Sequence, residues 1–185
     1  MSAPRTEALR RLRLAGPGSR ELAPLEAEHA LRVLRMGVGM PFEALDGAGR
    51  AYLARIARAE RKHLEFELEQ LLREAPAPGQ AGSHLPRIEI AAAIPRAGHA
   101  EELVQALTQL GAAAWIPLCT ERSAPGAREL EGHRRERLQR ISGEALKQSG
   151  RLWSLEIAAP RELGSLLEPG PCLLQCSPQA SLRLC

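Results

Sequence analysis

The sequence predicts a small β-barrel followed by an α/β segment with a parallel sheet, an α+β chain in two parts. Three observations carry this expectation. Residues 88–153 alternate short apolar runs with amphipathic ones, and their most informative polar residues stand where the apolar runs end. That is the grammar of a parallel sheet with a site at its strand ends. Residues 1–74 form a basic module of short alternating runs around one helical stripe. Between them, Ala75 to Pro86 (APAPGQAGSHLP) holds three prolines and two glycines without apolar periodicity, the composition of a boundary. The expected units are therefore 1–74, a linker at 75–86, and 87–185.

In the first unit, LRRLRL at 9–14 alternates in part and predicts a strand with its arginines on one face. Glu26 to Met36 (EAEHALRVLRM) sets Ala30, Leu31, Val33 and Leu34 on a helical stripe, with Arg32 and Arg35 beside it. His29 is expected to pack on that helix. FEALD, DGAG and RAYLARIAR then read as strand, turn and strand, with Asp46-Gly47 supplying the turn chemistry. Residues 62–72 alternate Leu64, Phe66 and Leu68 against charges, another half-exposed strand whose end could equally be helical. Short strands around one helix suggest a barrel of the kind that docks on RNA through shape and phosphates.

In the second unit, Ile88 to Ile94 is a nearly continuous apolar run with Glu89 as its only charge, as in a strand covered on both faces. Residues 99–110 carry Leu103, Leu107 and Leu110 on one helical face, with Glu101 and Glu102 suited to the positive N-terminus and Gly111 as the stop. Ala113 to Leu118 is the next strand, so Glu121 and Arg122 follow at its end, where open α/β sheets place ligand contacts. Leu130 to Ser149 is a long helix with Leu138, Ile141, Ala145 and Ser149 along one side and Arg134, Arg135, Arg137, Arg140 and Lys147 on the other. Gln148, Ser149 and Arg151 precede a strand at Leu152 to Ala158. A short helix at Arg161 to Leu167 and a last strand at Cys172 to Cys176 complete a right-handed β-α-β-α-β-α-β order.

Composition excludes more than it assigns. The net charge of +3 and pI near 8.9 are compatible with a nucleic-acid partner, and aromatics at 3% argue against a surface that stacks bases. The abundant arginines suit bidentate phosphate contacts, but a solvated face or a GC-biased coding sequence would give the same count. Cys119, Cys172, Cys176 and Cys185 form no CxxC pair and have no histidine at metal spacing, and Cys172 and Cys176, four apart in a short apolar run, are expected as buried free thiols rather than a metal site or disulfide. No apolar stretch reaches transmembrane length and no signal-peptide core precedes the first unit, which makes a cytoplasmic protein the expectation. There is no GxGxxG, Walker loop, GxSxG or HExxH, so a nucleotide-binding α/β protein unrelated to RNA is disfavoured.

Three segments resemble one family. HALRVLRMGVGMPFEALDGAGRAYLARI, IPRAGHAEELVQALTQLGAAAWIPLCTERS and EALKQSGR follow in order and spacing, and the combination of H-x3-VLR, LG…W-IPL-x-TERS and EAL-x-QSGR resembles the RsmE family of bacterial methyltransferases. These modify N3 of a uridine in small-subunit (16S) ribosomal RNA, and the resemblance runs from about Leu9 to Pro178. It implies a PUA-like β-barrel followed by a SPOUT-type, Rossmann-like α/β domain with a trefoil knot, a homodimer, and S-adenosylmethionine as cofactor. It makes Arg11, Arg32, Arg35, Arg122 and Arg151 candidate RNA contacts, and Glu121 and Gln148 residues that line the cleft or orient its loops.

The chain also departs from the family's pattern. Ala106 and Gln109 replace a usual lysine and glutamate, Leu138 replaces a tryptophan, and Lys147 stands where glutamate is common. The family's GPEGG loop and LRxETA segment, which bind the methyl donor and form the knot, are not in the sequence, so the SPOUT domain is expected to be incomplete and without cofactor-binding residues. Methyl transfer needs the donor in line with the target nitrogen, and the uridine N3 proton must leave. A non-catalytic RNA-binding protein that lost the knot is the alternative reading.

Overall fold

The computed structural model describes residues 9–23, 25–60, 63–95, 98–120, 130 and 132–166. Its first sheet runs β1-β2-β3-β4, formed by β1 (Arg11–Arg13), β2 (Pro41–Leu45), β3 (Arg50–Glu60) and β4 (His63–Glu74). β1 is parallel to β2, and the other pairs are antiparallel. Period-two alternation sets the faces: Leu12 is fully buried, while Arg11 and Arg13 project from the other side. A one-residue slip would bury both arginines, so the register is strongly specified. Leu12, Leu14, Phe42, Ala44, Ala54 and Ile56 form the core, with Phe66 meeting Phe42 edge-on at a centroid distance of 5.4 Å. The Asp46 carboxylate accepts from the N–H groups of Ala48 at 2.8 Å and Arg50 at 2.9 Å, closing the expected turn. β4 stays a strand to Glu74.

The expected helix at 26–36 is shorter. An α-helical turn, α1 (Glu26–Glu28), passes into a π-helical turn at His29–Val33, and the chain leaves it through Arg35 at φ 53°. The wider turn breaks the 3.6-residue stripe. Ala30 is buried, Leu31 and Leu34 are half-buried, and Val33 is rotated out to 65% exposure.

The second sheet is wholly parallel. β6 (Ala114–Cys119) is flanked on one side by β5 (Glu89–Ala93), and it pairs with β7 (Glu156–Ile157) at Ala114 and Trp115, then with β8 (Arg161–Glu162) at Leu118 and Cys119. The expected strand at 152–158 narrows to β7, because Trp153 pairs instead with Ala48 of the first sheet's turn. The expected helix at 161–167 is β8 and a 3-10 turn at Leu163–Leu166, since the free stretch of β6 offers partners that so short a helix cannot match. The strand expected at Cys172 to Cys176 lies outside the described residues; Cys119 is a buried free thiol.

Helix α2 (His99–Leu110) ends as expected at Gly111, φ 85°, whose N–H reaches the Leu107 and Thr108 carbonyls. Its buried stripe is Ala100, Val104, Leu107 and Thr108, whereas Leu110 is 76% exposed. The stripe moved one position because Thr108 faces α3 (Gly132–Ser149), its hydroxyl donating to the Val104 carbonyl at 2.8 Å and accepting from the Ser142 hydroxyl at 3.1 Å. Trp115 is fully buried between the helices and the sheet, its indole N–H directed at the Ala92 carbonyl, and area alone makes it worth roughly 5 kcal/mol. Arg87 hydrogen-bonds Glu89 and Glu156 on the two strands that flank β6, and its guanidinium is held above the ordinary arginine range, chiefly by the Glu89 bond. No helix among the described residues is long and apolar enough to cross a membrane.

A third apolar cluster joins the two parts: Leu45 and Ala51 from the first sheet, Leu146 from α3, with Leu152 packed against it. The chain from Leu152 to Ser154 lies along the 47–49 turn through the bonds Gly49 N–H to Leu152 O and Ser154 N–H to Gly47 O, at 3.0 and 2.9 Å. Gly47 is required there, since its φ is 70° and a Cβ would sit 2.3 Å from Ser154 Oγ. The segment expected as a linker joins in: the Trp153 indole donates to the Ala75 carbonyl at 3.1 Å.

Candidate functional site

The polar groups of both parts converge on the last turns of α3. The end of a helix carries unpaired carbonyls and partial negative charge. Arg11 donates to the Lys147 carbonyl at 2.9 Å and the Gln148 carbonyl at 3.4 Å, and Arg73 donates to the Gly150 carbonyl at 2.9 Å. Both guanidiniums are held by one carboxylate, that of Glu43, with Arg11 Nε at 2.8 Å and Arg73 Nε at 2.9 Å. The Glu43 side chain is only 10% exposed. This Arg–Glu–Arg clamp fixes α3 against the first sheet.

A second charged cluster lies along the same helix. Lys147 Nζ is 2.6 Å from Glu26 Oε1 of α1 and 2.8 Å from Glu144 Oε1. Lys147 and Glu26 are each 8% exposed at the side chain, and Glu144 is 50% exposed. Lys147 was expected on the solvated side of α3; the structure buries it, because Glu26 of α1 meets it near the end of the helix, while Arg134, Arg137 and Arg140 stay exposed. Glu26 Oε2 is buried with no hydrogen-bond partner among the described residues.

Between these walls runs a groove of about 1020 Å³. One wall is Arg13, Leu25, Glu26 and His29; the other is α3, from His133 to Glu144. Arg13 can lie against α3 only because Gly143 has no side chain, as a Cβ there would be 2.2 Å from Arg13 Nη1. Three arginines and three glutamates line the groove. Arg137 is paired with Glu101 at 2.8 Å, Glu136 meets His133 at 3.4 Å, and Glu26 and Glu144 share Lys147. Arg13 and Arg140 have no ion pair among the described residues, so the groove offers two available cations on walls that also carry three carboxylates.

The residues expected from the sequence are dispersed. Arg11 is in the clamp, and the backbone of Gln148 receives it, so those two come together; the Gln148 side chain is exposed. Arg151 caps α2, donating to the Gln109 and Leu110 carbonyls at 3.1 and 2.8 Å. Arg32 is exposed and paired with Glu28 one turn back, and Arg35 is exposed; neither lines the groove. Glu121 and Arg122 lie outside the described residues. Sequence reasoning passed over Glu26, Glu43 and Arg73, and it read Lys147 on the wrong face. The one available sign was Gly143, a glycine inside a helical run that marks a close approach.

Comparison with known proteins places the fold. A family model described as an RNA methyltransferase domain matches residues 83–174, and one described as an RNA methyltransferase PUA domain matches residues 26–69. Ribosomal RNA small subunit methyltransferase E of Synechocystis is 36% identical over 152 residues, which are 80% of this chain and 45% of that protein. The chain thus spans less than half the length of that curated relative. The crystal structure of a probable rRNA-methyltransferase from Porphyromonas gingivalis superposes with a TM-score of 0.70 at 26% identity, over 88% of this chain and 65% of that one. A Neisseria gonorrhoeae ribosomal RNA small subunit methyltransferase E, solved with S-adenosyl methionine, has a TM-score of 0.66 at 23% identity over 88% and 66% of the two chains, a likeness of fold alone. The expected class stands: a PUA-type sheet domain followed by a SPOUT-like parallel α/β domain.

Proposed function

The chain belongs to the RNA methyltransferase family whose PUA and methyltransferase domains it carries, and on that premise we propose that it serves the S-adenosylmethionine-dependent methylation of uridine N3 in small-subunit ribosomal RNA, with the groove beside α3 holding the RNA backbone. The observation that carries this reading is the placement of Arg13 and Arg140 on opposite walls of one groove, one from each domain. Arginine guanidiniums take phosphate oxygens in bidentate fashion, and phosphate contacts set the register of an RNA without reading its sequence. Arg32 and Arg35 are proposed as further contacts along the outer surface. Self-association into a homodimer belongs to the same reading, and sedimentation velocity would reveal it.

The methyl donor is a separate matter. Parallel sheets seat ligands at the C-terminal ends of their strands, and residues 96–97 and 121–129, which follow β5 and β6, lie outside the described residues, so the groove is read here for what the described residues can do. What they supply is binding and orientation of RNA. A calorimetric titration separates the readings: micromolar binding of S-adenosylmethionine supports the methyltransferase, and RNA binding without it reassigns the chain to a non-catalytic RNA-binding role.

Two substitutions test the groove. Arg13→Ala with Arg140→Ala is expected to weaken binding of small-subunit ribosomal RNA fragments roughly 10- to 30-fold and to reduce the slope of log affinity against log salt by about 1.5, read by fluorescence anisotropy. An unchanged salt slope would remove the groove from RNA binding. Gly143→Ala should keep the fold, gaining up to about 1 kcal/mol in helix propensity as the flexible Arg13 end swings aside. It should nevertheless lose as much RNA affinity as Arg13→Ala, a dissociation of stability from binding that chemical denaturation and anisotropy together would reveal.

A further inference from the structure

An RNA strand in the groove presents bases as well as phosphates, and the chain has few rings to meet them. Its two tryptophans, one tyrosine and two phenylalanines are engaged elsewhere. Phe42 and Trp115 are fully buried, Tyr52 and Phe66 pack on the first sheet's core, and the Trp153 indole is bonded to the Ala75 carbonyl. None of the five lines the groove, and the π systems that do are the imidazoles of His29 and His133. The His133 side chain is fully exposed and meets Glu136, whereas His29 is half-buried.

His29 meets the groove with its side chain, because its backbone is already bonded. Its N–H donates to the Leu25 carbonyl at 2.9 Å, and its carbonyl accepts from the Leu34 N–H at 3.0 Å. The imidazole has no hydrogen bond or ion pair among the described residues. It is not sealed in either: Glu26 Oε2 alone among their buried side-chain polar atoms lacks a partner, so the unbonded ring nitrogens of His29 are open to solvent. A histidine that packs in a core bonds the nitrogens it buries; this one keeps them free.

The surroundings of the ring are apolar and conformationally unusual. Leu25 lines the same groove at 60% exposure, held in the left-handed region at φ 68° that its side chain disfavours. Ile141 lines the groove from α3 and is half-buried. His29 itself begins the π-helical turn. Such conformations concentrate at ligand sites, where the surrounding structure imposes them. The groove thus combines a ring and two aliphatic side chains with two available cations, the pairing that holds a single strand by base face and phosphate together.

We propose that the His29 imidazole stacks on an unpaired base of the RNA, with Leu25 and Ile141 covering that base, while Arg13 and Arg140 hold the flanking phosphates. This rests on the RNA-groove reading above and adds a contact to the bases. It also sets a preference, since bases within a duplex keep their faces stacked on one another and only looped or single-stranded RNA offers a free face.

The test measures anisotropy of the full chain with short oligouridine and with a strand of the same length and charge built of abasic residues. Wild type should bind the abasic strand about tenfold more weakly. His29→Ala should weaken oligouridine binding about five- to tenfold, change abasic-strand binding by less than about twofold, and keep the wild-type salt slope, because no phosphate contact is lost. His29→Phe keeps a ring in the π-turn and should stay within about twofold of wild type on both strands. The proposal is overturned if His29→Ala weakens both strands alike, which is the mark of a structural prop, or if His29→Phe binds as poorly as His29→Ala. It is equally overturned if His29→Ala lowers the salt slope, which would make the imidazole a phosphate contact, or if wild type does not distinguish the strands. Failure of Arg13→Ala with Arg140→Ala to weaken oligouridine binding would instead sink the groove reading itself.

Discussion

Lys147→Met is expected to lower the unfolding free energy by roughly 3 kcal/mol, the cost typical of stripping one partner from a buried ion pair. Methionine matches the lysine stem in volume, so little of the loss would come from a cavity. The loss comes from Glu26, whose side chain is 8% exposed and whose Oε1 would then be as unsatisfied as its Oε2 already is. Glu144 contributes less, being 50% exposed and free to turn to water. For a chain of this size the shift in midpoint should be roughly 6–12 °C, measured by circular dichroism at neutral pH. An unchanged midpoint would mean that Glu26 is solvated, which would contradict the buried cluster. Adding Glu26→Leu should restore most of the loss, since a buried pair replaced on both sides by apolar groups is often neutral.

Much of the fold was legible because local and tertiary demands agree. Residues 99–110 form a helix with the expected bounds, since the period, the acidic first turn and Gly111 all point the same way. The Asp46-Gly47 turn is a similar case, whereas the run at 88–94 forms the expected strand without the expected cover on both faces: β5 ends the sheet order among the described residues, none of its residues is buried, and Ile88 is 51% exposed. Where the reading failed, a tertiary partner had overridden a local pattern. Trp153 sits in an apolar run that looks like a sheet strand, yet it pairs with Ala48 and donates to Ala75. Val33 has the spacing of a core residue, yet the π-turn moves it into solvent.

The site was less legible for a physical reason. The resemblance drew attention to arginines and to polar residues at strand ends, and arginines have two uses that composition does not separate. Arg11 and Arg151 cap helix C-termini by hydrogen-bonding carbonyls, while Arg13, two residues from Arg11, is left available. The difference depends on which residues stand opposite: Glu43 faces Arg11, and Gly143 faces Arg13. Neither pairing has a local signature, because the partners are 32 and 130 positions apart. Glu43 is the clearest example. It lies in the run FEALD, where alternation makes it an outward, solvated residue, and it is indeed on the face opposite Phe42. That face is covered by α3, which turns a surface glutamate into the centre of a clamp.

Glu43→Ala should therefore cost far more than a surface charge substitution, about 2–3 kcal/mol. The carboxylate receives Arg11 on one oxygen and Arg73 on the other, and it is 10% exposed while its partners are 36% and 41% exposed. Loss of the anion leaves two cations side by side with only helix carbonyls as partners. Arg11→Ala and Arg73→Ala should each cost about 1 kcal/mol, and each should cost less in the Glu43→Ala background, a coupling that a double-mutant cycle in urea would measure. The larger consequence is geometric. Arg13 belongs to β1 and Arg140 to α3, and the clamp joins those two elements next to the groove, so it sets the span between the groove's available cations. Glu43→Ala should thus weaken RNA binding about fivefold although Glu43 does not line the groove, with hydrogen exchange accelerating from Lys147 to Trp153. Wild-type RNA affinity in a destabilised Glu43→Ala protein would transfer that role to the apolar contact of Leu45 and Ala51 with Leu146, another connection between the first sheet and α3.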